Sequence, residues 1–312
     1  MTSGLRISGL GTALPPKVVT NADLETTLDT NDAWIVDRTG IRQRHVGGST
    51  AQLAAEAARQ ALDRAGADPD SIDLLILCTC TPDETLPATA SVVQADLGLS
   101  CGAFDLNAAC SGWTYGLVAA DGFLRGGMRR ILLVGAETLS RIVDWDDRGT
   151  AILFGDAAAA AVVEPVEDPG APGRIRGYDL GSDGRLRHIL HADVGGTMLM
   201  DGPEVFRRAV RAVVDTSRTA LARAGVTAED LRLVVPHQAN IRIIESACAK
   251  LGIPMERNVI TLDRTGNTSA ASIPFALAEA VDQGRVAPGD LVLLVGFGAG
   301  MTWAAVVLEW GP

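Results

Sequence analysis

The chain repeats itself, and that repetition limits what it can fold into. Ala61-Leu62-Asp63-Arg64-Ala65-Gly66 leads through Asp68-Pro69-Asp70-Ser71-Ile72-Asp73 into the apolar run Leu74-Leu75-Ile76-Leu77. Ala220-Leu221-Ala222-Arg223-Ala224-Gly225 leads through Thr227-Ala228-Glu229-Asp230-Leu231-Arg232 into Leu233-Val234-Val235. Farther on, Ile131-Leu132-Leu133-Val134-Gly135 matches Val292-Leu293-Leu294-Val295-Gly296, again at an offset of about 160 residues. Helix, glycine, acidic turn and strand recur in many α/β proteins, so one match would mean little. Two in the same order at the same offset point to a duplication. The expectation is two similar halves, 1–165 and 174–312, joined across Glu164-Pro165-Val166-Glu167-Asp168-Pro169-Gly170-Ala171-Pro172-Gly173. Each half alternates helices with short apolar strands, which favours a layered α/β fold. Two helices rich in small residues, from about Ser111 to Arg125 and from about Ser269 to Gln283, are suited to burial between two sheets. Asp156 to Val163, with five consecutive alanines, reads equally as strand or helix.

With 312 residues, 47% of them hydrophobic, the chain can bury a large core. A formal charge of −11 argues against general nucleic-acid binding. No apolar run is long enough to span a bilayer, and the N-terminus lacks a signal-peptide pattern. The five cysteines are odd in number and have no framework spacing, so free thiols in a reducing, cytoplasmic setting are expected. Cys78-Thr79-Cys80 would place two thiols on one strand face. No second ligand pair supports zinc, and no metal site is expected.

Three segments carry the chemistry. Cys110 stands in Ala108-Ala109-Cys110-Ser111-Gly112 ahead of a helix, whose dipole favours a thiolate. His237, in Val235-Pro236-His237-Gln238-Ala239-Asn240, follows an apolar strand, and sites often form at strand ends. Asn267, in Thr265-Gly266-Asn267-Thr268-Ser269-Ala270, reads by itself as a turn or cap. A buried structural cysteine and a satisfied structural histidine are the plain alternatives. His45, His188 and His191 read as surface residues, and Cys78, Cys80, Cys101 and Cys248 as structural ones. Gly296-Phe297-Gly298-Ala299-Gly300 lacks dinucleotide-loop spacing and better suits a turn that offers N–H groups to an oxyanion.

Taken together, these segments and their order resemble the β-ketoacyl-acyl-carrier-protein synthase III family. Asn31 to Ile41, Asp147-Arg148-Gly149, Phe154-Gly155-Asp156, Pro236 to Asn240 and Gly266 to Ser272 extend the likeness over nearly the whole chain. The resemblance implies a thiolase-like fold of five α/β/α/β/α layers, usually a homodimer, and the initiating condensation of fatty-acid or related acyl-chain synthesis. It implies that Cys110 takes the acyl group from acyl-CoA. His237 and Asn267 would then hold the enolate formed when carrier-bound malonyl loses CO2. The Cys110 and Ala299 N–H groups would form a second oxyanion hole. Trp34 and Arg148 would sandwich the CoA adenine, with Arg38 and Thr39 near the nucleotide. No metal or redox cofactor is implied. Arg207, Arg211, Arg242 and Lys250 would form a basic patch for an acidic carrier protein; the plain alternative is a solvated charged face.

Several positions depart from the family pattern. Leu86 stands where Phe is common, at a site that reaches from the dimer partner into the acyl pocket. Arg187 to Met200 is shorter than usual, Thr265 replaces a frequent His, and alanines follow Phe154-Gly155-Asp156 where glycine is common. These leave the primer open. A polyketide starter synthase or a pure acyltransferase of the same fold is the nearest rival. A degradative thiolase would carry a second cysteine within Gly296 to Gly300. A papain-like protease shares the order Cys, His, Asn but not the duplicated halves. A non-catalytic relative would be expected to lose Cys110.

Overall fold

The computed structural model describes residues 4–311, so Met1 to Ser3 of the N-terminal stretch lie outside the described residues. One sheet has the strand order Gly4–Ala13, Asp156–Val166, Ile131–Thr138, Leu74–Cys78, Gly102–Leu106. A second has the order Arg174–Ser182, Thr302–Glu309, Leu291–Gly298, Leu233–Pro236. Pairing senses agree strand for strand: two antiparallel joints, then a parallel one. The last strand of the first sheet is matched in the second by a lone parallel bridge from Val234 to Asn258. The sequence repeat is therefore a repeat of topology.

Alternation along the strands builds the layers. In Leu74–Cys78, Leu74, Ile76 and Cys78 face the centre, and Leu75 and Leu77 face outward. The outward set packs on the alanine-rich helix Thr50–Ala65, which Ser49 caps and Gly66 ends in the left-handed conformation. The inward set meets Trp113, Leu117, Ile273 and Leu277 from two central helices, and these also touch Val235 and Leu294 of the second sheet. The helices Gly202–Ala224 and Ile241–Leu251 cover that sheet's far side. The result is the expected order of helix, sheet, helix, sheet, helix. Each central helix starts slightly later than expected. A 3-10 turn, Ala109–Ser111 or Ser269–Ala271, precedes Gly112–Arg125 or Ser272–Asp282.

The ambiguous alanine run is a strand. It lies between Gly4–Ala13 and Ile131–Thr138 with both faces buried, and tertiary pairing overrides the helix preference of alanine. This strand also takes in Glu164, Pro165 and Val166, the start of the expected connector. Pairing with Ile131–Thr138 ends at Val163, so the missing N–H of Pro165 disrupts no ladder on that side. Glu164 is held there by Arg6 and Arg130. Among the described residues, no helix is long and apolar enough to cross a membrane.

Candidate active site

Cys110 occupies a sharp elbow between the strand Gly102–Leu106 and the central helix Gly112–Arg125. Ala109 just before it has φ 47°, a left-handed conformation that costs a non-glycine residue about 1–2 kcal/mol. The Asn107 carboxamide oxygen accepts the Ala109 N–H at 3.1 Å and helps to hold the turn. The second half repeats this device. Ser269 has φ 46°, and the Asn267 oxygen accepts the Ser269 N–H at 2.9 Å. Only an oxygen can accept there, so the Asn267 NH2 group remains a donor. The Asn267 backbone is itself clamped, donating to Leu153 at 2.8 Å and accepting from Gly155 at 3.0 Å. That contact gives Phe154-Gly155-Asp156 its place in the site.

His237 lies at the end of the strand Leu233–Pro236, nearly buried, with its ring edge-on to Phe297 at 5.5 Å. Burial pulls its imidazole down to about 3, so the ring is neutral. Ser272 Oγ sits 2.7 Å from Nδ1 and also accepts weakly from the Gln238 N–H at 3.4 Å. His237 Nδ1 is the acceptor within reach of the Ser272 hydroxyl proton, which leaves Nε2–H as a donor. Gln238 locks the loop with four bonds, from its NH2 to Pro236 and Val259 and to its oxygen from Thr261 and Leu262. Asn240 caps the next helix and bonds the Arg38 carbonyl.

The turn after Leu291–Gly298 presses against the cysteine elbow. A Cβ on Gly298 would stand 2.5 Å from the Cys110 nitrogen, so only glycine allows this approach. Thr302 Oγ1 donates to Ala108 at 2.9 Å and accepts from Ser111 Oγ at 2.7 Å, tying the turn to the elbow. The Ala299 N–H makes no hydrogen bond among the described residues. Burial of the thiol works against the helix dipole, which favours the thiolate. Burial pushes it up to about 12; the Ser269 hydroxyl and its own N–H pull it down less strongly, and Glu137 pushes it up.

Two sequence profiles match the chain: 3-Oxoacyl-[acyl-carrier-protein (ACP)] synthase III over residues 104–184 and the C-terminal part of the same enzyme over residues 221–310. A β-ketoacyl-[acyl-carrier-protein] synthase III of Erythrobacter litoralis is 50% identical over 97% of this chain and 98% of its own length. The chain belongs to the 3-oxoacyl-[acyl-carrier-protein] synthase III family. The crystal structure of the family's enzyme from Aquifex aeolicus superposes with TM-score 0.95 at 45% identity, covering 98% of this chain and 100% of that one. The priming β-ketosynthase of the R1128 polyketide pathway superposes with TM-score 0.91 at 38% identity, covering 100% and 98%.

Residues expected to bind nucleotide divide on inspection. Trp34 carries two guanidinium groups over its ring, Arg38 at 4.5 Å and Arg148 at 4.8 Å. An entering adenine would take the place of one against the ring. Thr39 does not fit the expectation. It is 3% exposed, and its hydroxyl donates to the Ile35 carbonyl and accepts from the Ile41 N–H. It closes the helix Asp32–Thr39 instead of facing a ligand.

The expected basic patch is laced with acids. Arg207 pairs with Glu204, Arg211 with Asp215 and Arg242 with Asp37. Arg207 and Arg211 share the helix Gly202–Ala224, whereas Arg242 and Lys250 stand on Ile241–Leu251. Arg242 thereby braces the Trp34 helix. Leu86 is 83% exposed. The short stretch 187–200 forms a hairpin, Leu190–Ala192 with Met198–Met200. Met198 packs with Leu139, Val143, Ala151 and Phe154. Thr265, at the frequent His position, is buried and donates to Thr261.

The sequence reading passed over Glu137 and Ser269 as site residues. It also placed Cys78 and Cys80 on one strand face, but the strand ends at Cys78 and Cys80 turns toward Glu137. The only advance signal for Glu137 was a carboxylate at the end of an otherwise apolar strand.

Proposed function

We propose that Cys110 accepts the acyl group and that His237 and Asn267 serve the decarboxylation that follows. The chain is a condensing acyltransferase that joins an acyl-CoA primer to malonyl carrier protein, giving β-ketoacyl carrier protein, CoA and CO2, and so initiates fatty acid synthesis. Acyl transfer places the acyl oxygen at the Cys110 and Ala299 N–H groups. Malonyl then enters with its thioester carbonyl between His237 Nε2–H and the Asn267 NH2. As CO2 leaves, negative charge gathers on that oxygen. Two neutral donors held in place stabilise charge that exists only along the reaction path, which accelerates the step. The carbanion attacks the acyl-Cys110 carbonyl and the chain grows. The leaving carboxylate supplies the electron pair, so no metal or redox cofactor enters this scheme.

The observation that carries the reading is the convergence of two matching elbows, one bearing the thiol and the other a carboxamide whose donor end is free. Fatty acid synthesis is preferred over a polyketide start because identity is higher to the first kind of relative, 50% against 38%. Trp34, Arg38 and Arg148 take the CoA adenine, and the arginine-rich helices beside them take the carrier protein. A homodimer is part of the reading. Gly102–Leu106 is a sheet edge paired on one side, and exposed Leu86 needs a partner subunit to wall in. The setting proposed is the cytoplasm.

Intact-protein mass after mixing with a panel of acyl-CoAs, then with malonyl carrier protein, tests the scheme. Loading that vanishes in Cys110→Ala, followed by a β-ketoacyl carrier product, supports it, and the panel names the primer. Loading without condensation would move the function to acyl transfer onto another acceptor.

A further inference from the structure

Glu137 is fully buried at the end of the strand Ile131–Thr138. The matched runs Ile131 to Gly135 and Val292 to Gly296 make it the counterpart of Gly298 in the repeat. Each of these two residues meets the elbow of the opposite half. Gly298 has no side chain and lets the Cys110 nitrogen approach. Glu137 fills the matching space: its Oε1 accepts from the Ser269 hydroxyl at 2.9 Å and weakly from the Ala270 N–H at 3.5 Å. Its own half fixes the carboxylate from the other side. The Thr79 and Thr81 hydroxyls donate to Oε2 at 3.1 and 2.5 Å, and the Cys80 N–H and thiol donate at 3.1 and 3.3 Å. Thr79 Oγ1 already accepts the Thr81 N–H, and Thr81 Oγ1 the Thr138 N–H, which leaves the carboxylate as the near acceptor for both hydroxyl protons.

The brace reaches Asn267 through Ser269. The Asn267 oxygen accepts the Ser269 N–H, and that bond is what leaves the NH2 as the free donor. Ser269 stands at φ 46°, a conformation unfavourable for serine, so contacts from outside the elbow must hold it. The first elbow has alanine at this place and is tied differently: Thr302 of the second half bonds Ala108 and Ser111. Each elbow is thus held by a side chain of the other half. We propose that Glu137 is a positioning residue for decarboxylation: acting through Ser269, it keeps the Asn267 carboxamide turned so that its NH2 meets the malonyl carbonyl. This rests on Asn267 being a donor in that step, as proposed above. Acylation of Cys110 does not use the Asn267 NH2, so the two half-reactions should respond differently.

Ser269→Ala cuts the link and leaves the other donors to Glu137 in place. Alanine tolerates the backbone, since Ala109 adopts nearly the same φ. Release of labelled CO2 from malonyl carrier protein should fall about 10-fold, less than the 10²–10³ expected for deleting the donor in Asn267→Ala. Acylation, followed by quenched intact mass with an acyl-CoA that loads the wild type, should keep its rate. Glu137→Gln places an NH2 among groups that all donate, and should show the same split. Ser269→Ala decides the matter if that variant does not fold. The double variant Ser269→Ala/Asn267→Ala should release CO2 no more slowly than Asn267→Ala alone, because Ser269 acts only through Asn267. A further 10-fold loss in the double variant overturns the proposal. So does an equal fall in both half-reactions, which would mark a structural role, or unchanged CO2 release in Ser269→Ala. If Asn267→Ala itself releases CO2 at the wild-type rate, the reading of Asn267 fails and this brace with it.

Discussion

Ser272→Ala isolates what orients His237. Ser272 is 1% exposed and His237 4%, and the bond between them is 2.7 Å long. Removing the hydroxyl leaves imidazole Nδ1 buried without a partner, which costs about 1–3 kcal/mol of stability. It also removes the group that keeps the proton on Nε2. The donor toward the malonyl carbonyl is then misdirected but not deleted. Deleting one such donor costs about 10²–10³ in rate, so condensation should fall by less, about 10- to 100-fold, or about 1.4–2.7 kcal/mol. Acylation of Cys110 uses neither ring nitrogen and should keep its rate. Release of labelled CO2 from malonyl carrier protein reports the first quantity and quenched intact mass the second. If both half-reactions fall together, or if CO2 release is unchanged, His237 is not the oriented donor described here.

Three further outcomes follow from the geometry. His237 is pulled down to about 3, below the ~6.5 of an unfolded chain, so its contribution to stability is complete above about pH 6.5 and is lost as pH falls. The unfolding free energy from denaturant titrations should fall between pH 6.5 and 4 by about 1.4 kcal/mol per unit, a slope that is absent in His237→Ala. Trp34→Ala removes the ring beneath Arg38 and Arg148, so KM for acyl-CoA should rise roughly 2- to 30-fold, about 0.5–2 kcal/mol, with kcat nearly unchanged; unchanged KM would place the adenine elsewhere. Gly298→Ala sets a methyl 2.5 Å from the Cys110 nitrogen and should displace the acyl oxygen site, lowering acylation by about 10²-fold in a chain whose circular dichroism is unaltered.

Much of this was legible in the sequence because chemistry and repetition both leave marks in residue order. The helix–glycine–strand repeat foretold matching sheets, and the three short segments marked the turns and strand ends at which the structure places Cys110, His237 and Asn267. What escaped depended on contacts across the fold. The strand at Asp156–Val166 is set by its neighbours on both sides, which alanine content cannot report. Thr39 was misplaced because resemblance gives a position in a motif, not the side of a helix it faces. The arginine patch looked more basic than it is because Asp37, the partner of Arg242, lies far away in the chain. The thiol's high proton affinity comes from burial that a local dipole argument ignores.

The duplication also explains how one elbow supports two kinds of chemistry. Asn107 and Asn267 each accept the N–H two residues on, and each precedes a left-handed residue and a central helix. In the first half the residue after the left-handed position is Cys110; in the second it is Ala270. The second elbow presents no nucleophile, and its turn Ser269–Ala271 packs against the turn Ala109–Ser111 of the first. His237 ends Leu233–Pro236, the counterpart of Leu74–Cys78, so the imidazole stands where the first half places Cys78. A symmetric pair of such elbows would set like groups against each other. Divergence has placed a nucleophile on one side and two donors on the other, and a Claisen condensation between an electrophilic acyl group and a developing enolate requires that asymmetry.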